Sequence, residues 1–174
     1  RYCDGAIRET VPVTLATLEA AKRPATHVVA IITQPPRSVL AWWKDLERRT
    51  DASGVLFELH GEGACMVPAS VFDGFVENGL VNARRKREAN PGLKIKVSLY
   101  LSRGRASLEI EDSGDPVPAS VAEILFDEPI PREGGVGFAI GLYQLARLAA
   151  QSGYTASLAR NEPGAAATTR ATLD

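Results

Sequence analysis

The sequence predicts an α+β two-layer sandwich preceded by a short helical segment. Three observations carry that expectation. Residues 94–101 alternate strictly between apolar and polar, the period of a half-buried strand. A two-residue turn, Arg103-Gly104, then returns the chain as a hairpin partner over 106–111. Finally, long helical stretches at 68–88 and 138–152 stand apart from consecutive strands, which places helices against one face of a largely antiparallel sheet.

The elements follow in order. Residues 12–23 read as a helix with Val13, Leu15, Leu18 and Ala21 apolar, ended by Pro24. An apolar stretch at 27–32 stops at Gln34-Pro35-Pro36. Ser38 is placed to cap a helix over 38–49 that carries Val39, Leu40, Trp42, Trp43 and Leu46. Asp51-Ala-Ser-Gly54 is a turn and the expected boundary between a helical segment, 1–51, and a second domain, 52–174. A strand over 55–60 precedes the helix of 68–88, which Asn90-Pro-Gly92 closes. After the hairpin come a Gly-, Pro- and acid-rich stretch with one short apolar piece at 121–126, then glycines leading into the last helix, capped by Gly153. Strands over 154–160 and 168–173 complete the order β-α-β-β-loop-α-β-β.

Composition narrows the function. A formal net charge of −1 provides no global field to draw nucleic acid or an acidic membrane; the compact basic run is Arg84-Arg85-Lys86-Arg87. Cys3 and Cys65 are far apart without paired spacing, which speaks against a zinc site or disulfide framework and for reduced thiols in a cytoplasm. No apolar run approaches the ~18 residues needed to span a bilayer. Arg1 is not an initiator Met, so an excised fragment is expected, with room upstream for a signal peptide or an inner-membrane anchor.

Three blocks carry chemistry. Asn78 and Asn82, four apart, share one face of a helix. Asparagine is a poor helix-interior residue, so the pair is solvated, is hydrogen-bonded to a neighbouring turn, or offers amide oxygens to a Mg²⁺ already carried by phosphates. Arg85 and Lys86, one turn on, either form a solvated basic face or meet phosphate oxygens. Asp112-Ser-Gly114 ends a strand: it is an ordinary turn, or a carboxylate projecting into a pocket where it accepts from the exocyclic amine of adenine. Gly134, Gly135, Gly137 and Gly141 cluster around a helix start. Within a helix each glycine costs about 1 kcal/mol against alanine, so the cluster is a flexible loop with tight packing or a backbone that approaches phosphate at a helix N-terminus. No P-loop and no dinucleotide fingerprint occurs.

Taken in this order, the blocks resemble the GHKL superfamily, which comprises gyrase, heat-shock chaperone, histidine kinase and mismatch-repair ATPases. Asn78-x-x-x-Asn82-Ala83 looks like its N box. Asp112-x-Gly114 looks like its G1 box, and Gly137-Phe-Ala139-Ile-Gly141-Leu142 its G2 box. The resemblance covers roughly 55–174, including Asn-Glu-Pro-Gly164 and Thr168. It is closest to the catalytic ATP-binding domain of bacterial sensor histidine kinases, whose fold is the Bergerat sandwich. It implies ATP and Mg²⁺ as cofactors, with Asn82 binding the metal and Asn78 assisting. Asp112 would read the adenine amine with Thr168 behind it through water, and Gly114 would shape the base pocket. Gly137, Gly141 and Leu142 would border the phosphates under a lid spanning about 116–136, with Phe126 a remnant of the F box. Pro116 in place of the second G1 glycine and Ala139 in place of the middle G2 glycine depart from the pattern and stiffen the pocket rim.

Hydrolytic relatives place a glutamate at the position of Asn78, and an amide cannot act as base for water. Transfer to a nucleophile is therefore favoured, resting on alignment and charge neutralisation. Glu77 points about 100° away on the helix. The resemblance implies an acceptor histidine on an upstream helical dimerisation domain, a response regulator as partner and a homodimer in the full-length protein. It also implies a cytoplasmic location without contact to nucleic acid or, for this segment, to membrane. His27 and His60 lack the sequence context of an acceptor and read as structural. A second reading is a degenerate GHKL-fold regulatory module, anti-sigma-like or a pseudokinase, which Pro116 and Ala139 favour; a GHKL ATPase is a third.

Overall fold

The computed structural model describes residues 35–50, 54–128, 130–131, 138–139, 141–163 and 167–174, with backbone alone at 130–131 and 138–139. The helix expected over 12–23, His27, Gly134, Gly135 and Gly137 lie outside the described residues. Pro35–Asp174 forms one compact unit. Its elements are β1 (Arg37–Ser38), α1 (Val39–Arg49), β2 (Val55–Gly61), β3 (Met66–Val67), α2 (Ala69–Ala89), β4 (Ile95–Ser102), β5 (Arg105–Asp112), α3 (Ala119–Ala122), β6 (Ile130–Pro131), β7 (Phe138–Ala139), α4 (Gly141–Gln151), β8 (Ala156–Asn161) and β9 (Thr169–Leu173).

A five-stranded sheet runs in the order β2-β4-β5-β9-β8, with β2 and β4 parallel and the other neighbours antiparallel. Parallel neighbours need a long crossover, and α2 supplies it. Strand alternation then sorts the side chains. Ile95, Val97, Leu99 and Leu101 of β4 join Ala106, Leu108 and Ile110 of β5 in one buried core with Phe72, Phe75, Val76, Leu80 and Ala83 of α2. The opposite face is polar, crossed by ion pairs from Lys96 and Arg170 to Glu111. This is a two-layer α+β sandwich.

Three expectations about local structure change. Helix α1, set apart from the second domain by the boundary at 51/52, packs into the same core. Trp42 is fully buried, edge-on to Phe72 with ring centroids 5.2 Å apart, and its indole N–H donates to Asp73 at 2.8 Å. Arg49 reaches the same Asp73 oxygen. Ser38 does not cap α1 through its side chain; the first helical N–H, of Val39, donates to the Cys65 carbonyl at 3.0 Å because β1 pairs with β3. Helix α4 begins at Gly141, not 138, because Phe138–Ala139 is drawn into a ladder with Ile130–Pro131. At its other end Tyr154 N–H bonds Ala149 O and Gly153 N–H bonds Ala150 O, a Schellman closure that makes Gly153 the expected stop.

Candidate functional site

Asp112 is the last residue of β5 and continues the inward parity of Ala106, Leu108 and Ile110. Alternation therefore aims a carboxylate, not the neighbouring Glu111, at the helical layer. Asp112 is only 8% exposed. Its Oδ1 accepts from the Gly114 N–H at 3.0 Å, which ties the turn to the strand end. A Cβ at Gly114 would sit 2.5 Å from Leu93 Cδ1, 3.0 Å from Lys86 Cδ and 3.1 Å from Asp112 Oδ1, so the floor here is bare backbone by necessity. The next residues are pinned by Asn161, whose amide donates to the Val117 carbonyl and accepts from the Val117 N–H, both at 2.7 Å.

On the other side of Asp112 stands α2. Residues 78, 82 and 86 recur every four positions and form a stripe beside the buried face of the helix, about 12 Å long at 1.5 Å per residue. At one end, the Asn78 amide donates to the Gly74 carbonyl at 2.8 Å, which turns its oxygen outward to the start of α4. A Cβ added to Gly141 would lie 2.6 Å from that oxygen. In the middle, Asn82 is exposed, with no hydrogen-bond partner for its side chain among the described residues. At the far end, Lys86 Nζ lies 3.0 Å from both oxygens of Asp112 and 3.0 Å from Thr169 Oγ1.

The stripe thus joins the N-terminus of α4 to the end of β5. Of the residues singled out in the sequence, Asn78, Asn82, Lys86, Asp112, Gly114 and Gly141 belong to this arrangement. Arg85 is exposed on the same helix, and Leu142 is half-buried in the first turn of α4. Lys86 departs from its sequence reading: it turns to the carboxylate rather than standing free for phosphate. Thr168 is buried and contributes its N–H to the Asp112 carbonyl at 2.9 Å, while the hydroxyl in the network is that of Thr169, the cross-strand partner of Asp112. Gly137 lies outside the described residues, as does part of the segment 116–136, in which α3 is a single short helix. Phe126 is half-buried.

Sequence reasoning missed Asn161, Thr169 and the pairing role of Lys86. The four-residue spacing from Asn82 to Lys86 was a usable signal for the last. The other two depend on strand register. His60 is exposed near the end of β2, stacked on Tyr100 and 3.2 Å from Glu58.

A cleft of about 620 Å³ opens at the same end of the sheet, lined among others by Leu93, Ile95, Lys96, Asp112 and Arg170. Asp112 is the residue it shares with the α2 network; Asn78, Asn82 and Gly141 do not line it. No group of three or more His, Cys, Asp or Glu side chains suited to a metal occurs among the described residues. Two carboxamide oxygens are hard but neutral donors. They fit a Mg²⁺ that arrives with phosphates rather than one held by protein alone. No helix among the described residues is long and apolar enough to cross a membrane.

This five-stranded mixed sheet covered by helices on one face is the fold of the catalytic ATP-binding domains of sensor histidine kinases. Solved structures show the likeness. The mycobacterial sensor histidine kinase MprB is 24% identical, over 80% of this chain and 94% of that one, with a TM-score of 0.58. The ATP-binding domain of PrrB from Mycobacterium tuberculosis is 21% identical, over 80% and 96%, at 0.51. The histidine kinase domain of the E. coli osmosensor EnvZ is 17% identical, over 84% and 89%, at 0.55. No protein-family model and no curated protein sequence matches the chain.

Proposed function

We propose that this chain is the ATP-binding catalytic domain of a two-component sensor histidine kinase, transferring the γ-phosphate of Mg-ATP to a histidine on an upstream helical dimerisation domain. The observation that carries the reading is the stripe on α2. One helix presents two carboxamides beside Gly141, the first residue of α4, at one end and reaches a buried strand-end carboxylate at the other. Its length of about 12 Å is on the scale of a nucleoside triphosphate.

In this reading Asp112 accepts from the adenine amine over the Gly114 floor, with Thr168 behind it. Asn82, helped by Asn78, offers amide oxygens to Mg²⁺, which neutralises phosphate charge when bound. Gly141 and Leu142, with Gly137, admit phosphates to the free N–H groups at the start of α4, and Arg85 adds a positive charge along the same helix. Asn78 is not a base, so the domain holds the γ-phosphate in line for an incoming imidazole rather than activating water. The upstream acceptor domain, a homodimer built on it, a response regulator and a cytoplasmic location belong to the same proposal, as does the tail of a dimerisation domain in the N-terminal segment.

Calorimetric titration with ADP and ATP, with Mg²⁺ and with EDTA, tests it. Asn82→Ala should lose at least fivefold in affinity with Mg²⁺ and little with EDTA. Gly141→Ala should lose affinity in both, its methyl group standing 2.6 Å from the Asn78 oxygen. Labelled ATP with a separately added acceptor domain should then yield phosphohistidine rather than free phosphate. Absence of any nucleotide binding would leave the regulatory-module reading; release of phosphate without transfer would point to an ATPase.

A further inference from the structure

We infer that Lys86 is a competitor seated on the base-reading carboxylate: its ammonium occupies the acceptors of Asp112 that a purine amine would use, and so sets how tightly nucleotide binds. The inference rests on the adenine-nucleotide reading of Asp112 and concerns what that reading leaves unexplained. A lone carboxylate would be an open acceptor, and this one is not open.

An ammonium has three N–H donors and a carboxylate about four acceptor positions. Lys86 Nζ uses all three donors, on Asp112 Oδ1, Asp112 Oδ2 and Thr169 Oγ1, each at 3.0 Å. The Gly114 N–H takes a further position on Oδ1. One acceptor position on Oδ2 remains, next to a positive charge. A base amine is a neutral donor, and hydrogen bonds between ionised partners are roughly twice as strong as neutral ones. Entry of the base therefore exchanges a strong bond for a weaker one, or crowds into the position left over. The lysine stem adds a steric element. Lys86 Cδ lies 3.0 Å from the Cβ position of Gly114, so the alkyl chain packs against the Gly114 backbone directly beside the carboxylate.

Helix phase makes the role specific to this residue. Of the basic run, Arg85 is exposed and Arg87 reaches the Gly54 carbonyl. Only position 86, eight residues on from Asn78, is turned toward the end of β5.

The test is titration of the full 174-residue chain with ADP and with adenosine, comparing wild type with Lys86→Met and Lys86→Gln. Both variants should bind ADP at least tenfold more tightly. Adenosine, which has no phosphate, should gain by a similar factor, which locates the effect at the base. Thr169→Val, which removes one of the three acceptors holding the ammonium, should shift ADP affinity the same way by a smaller factor, and it serves should the Lys86 variants fail to fold. Unchanged or weaker ADP binding in the variants, with wild type binding normally, overturns the inference and leaves the nucleotide reading intact. ADP weakened while adenosine is unaffected would make Lys86 a phosphate ligand and also overturns it. Absence of binding by every form removes the nucleotide reading and the inference with it.

Discussion

Asp112→Asn probes the junction on which the site depends. The substitution keeps the shape and one acceptor for the Gly114 N–H but removes the charge that holds Lys86 at 3.0 Å on two oxygens. Stripping one member from a fully buried ion pair costs about 3–5 kcal/mol. Here the Lys86 side chain keeps 23% of its exposure and can carry its ammonium toward water. The expected loss is accordingly about 2–3 kcal/mol, or a fall of about 6–9 °C in melting temperature for a unit of this size. Urea denaturation should show a lower midpoint with an unchanged slope, which separates lost stability from a changed unfolded state. In a double-mutant cycle with Lys86→Met, the two losses should fall short of adding by about 1 kcal/mol or more, since either change alone breaks the same pair. ADP binding by Asp112→Asn should drop at least tenfold. Stability within about 0.5 kcal/mol of wild type, or strict additivity in the cycle, would refute the claim that this pair is a coupled buried unit.

Two further outcomes test the frame around the site. Trp42→Phe, which removes the 2.8 Å bond to Asp73 but keeps an aromatic ring against Phe72, should cost about 1–2 kcal/mol. Trp42→Ala should cost about 3–5 kcal/mol, both read from denaturant midpoints; if α1 were a separate linker, neither change would matter. Glu111 supplies a pH signature. Burial alone would raise its pKa, but hydrogen bonds from Lys96 and Arg170 outweigh burial and hold it below its ordinary value of 4.5. A group with a depressed folded-state pKa contributes stability above the unfolded value and loses it as pH falls through the folded one. Glu111→Gln should therefore be less stable than wild type at pH 7, with the gap closing below about pH 4.5. A gap of constant size down to pH 3, measured by thermal melts across pH, would remove the ion-pair explanation.

Much of this molecule is local physics written in order. The alternation at 94–101 and 106–111 corresponds to β4 and β5 within a residue, since a half-buried strand needs no partner to declare its period. The same alternation, extended to 112, predicts which carboxylate faces inward. Other features were beyond local reading. Phe138–Ala139 is not helical because Ile130–Pro131 pairs with it, and α1 belongs to the core because Phe72 and Asp73, some 30 residues on, receive Trp42.

From the chain alone, then, come the two-layer architecture, the helix face shared by Asn78 and Asn82 and the strand-end carboxylate, because each depends on a period of 3.6 or 2 within one element. Tertiary structure decided which groups meet. It turned Lys86 onto Asp112, brought Thr169 rather than Thr168 to the ammonium, and set Gly141 against the Asn78 oxygen. Those contacts join residues 26 to 83 positions apart, and the register and packing that bring them together are properties of the assembled sheet and helices, not of any one segment.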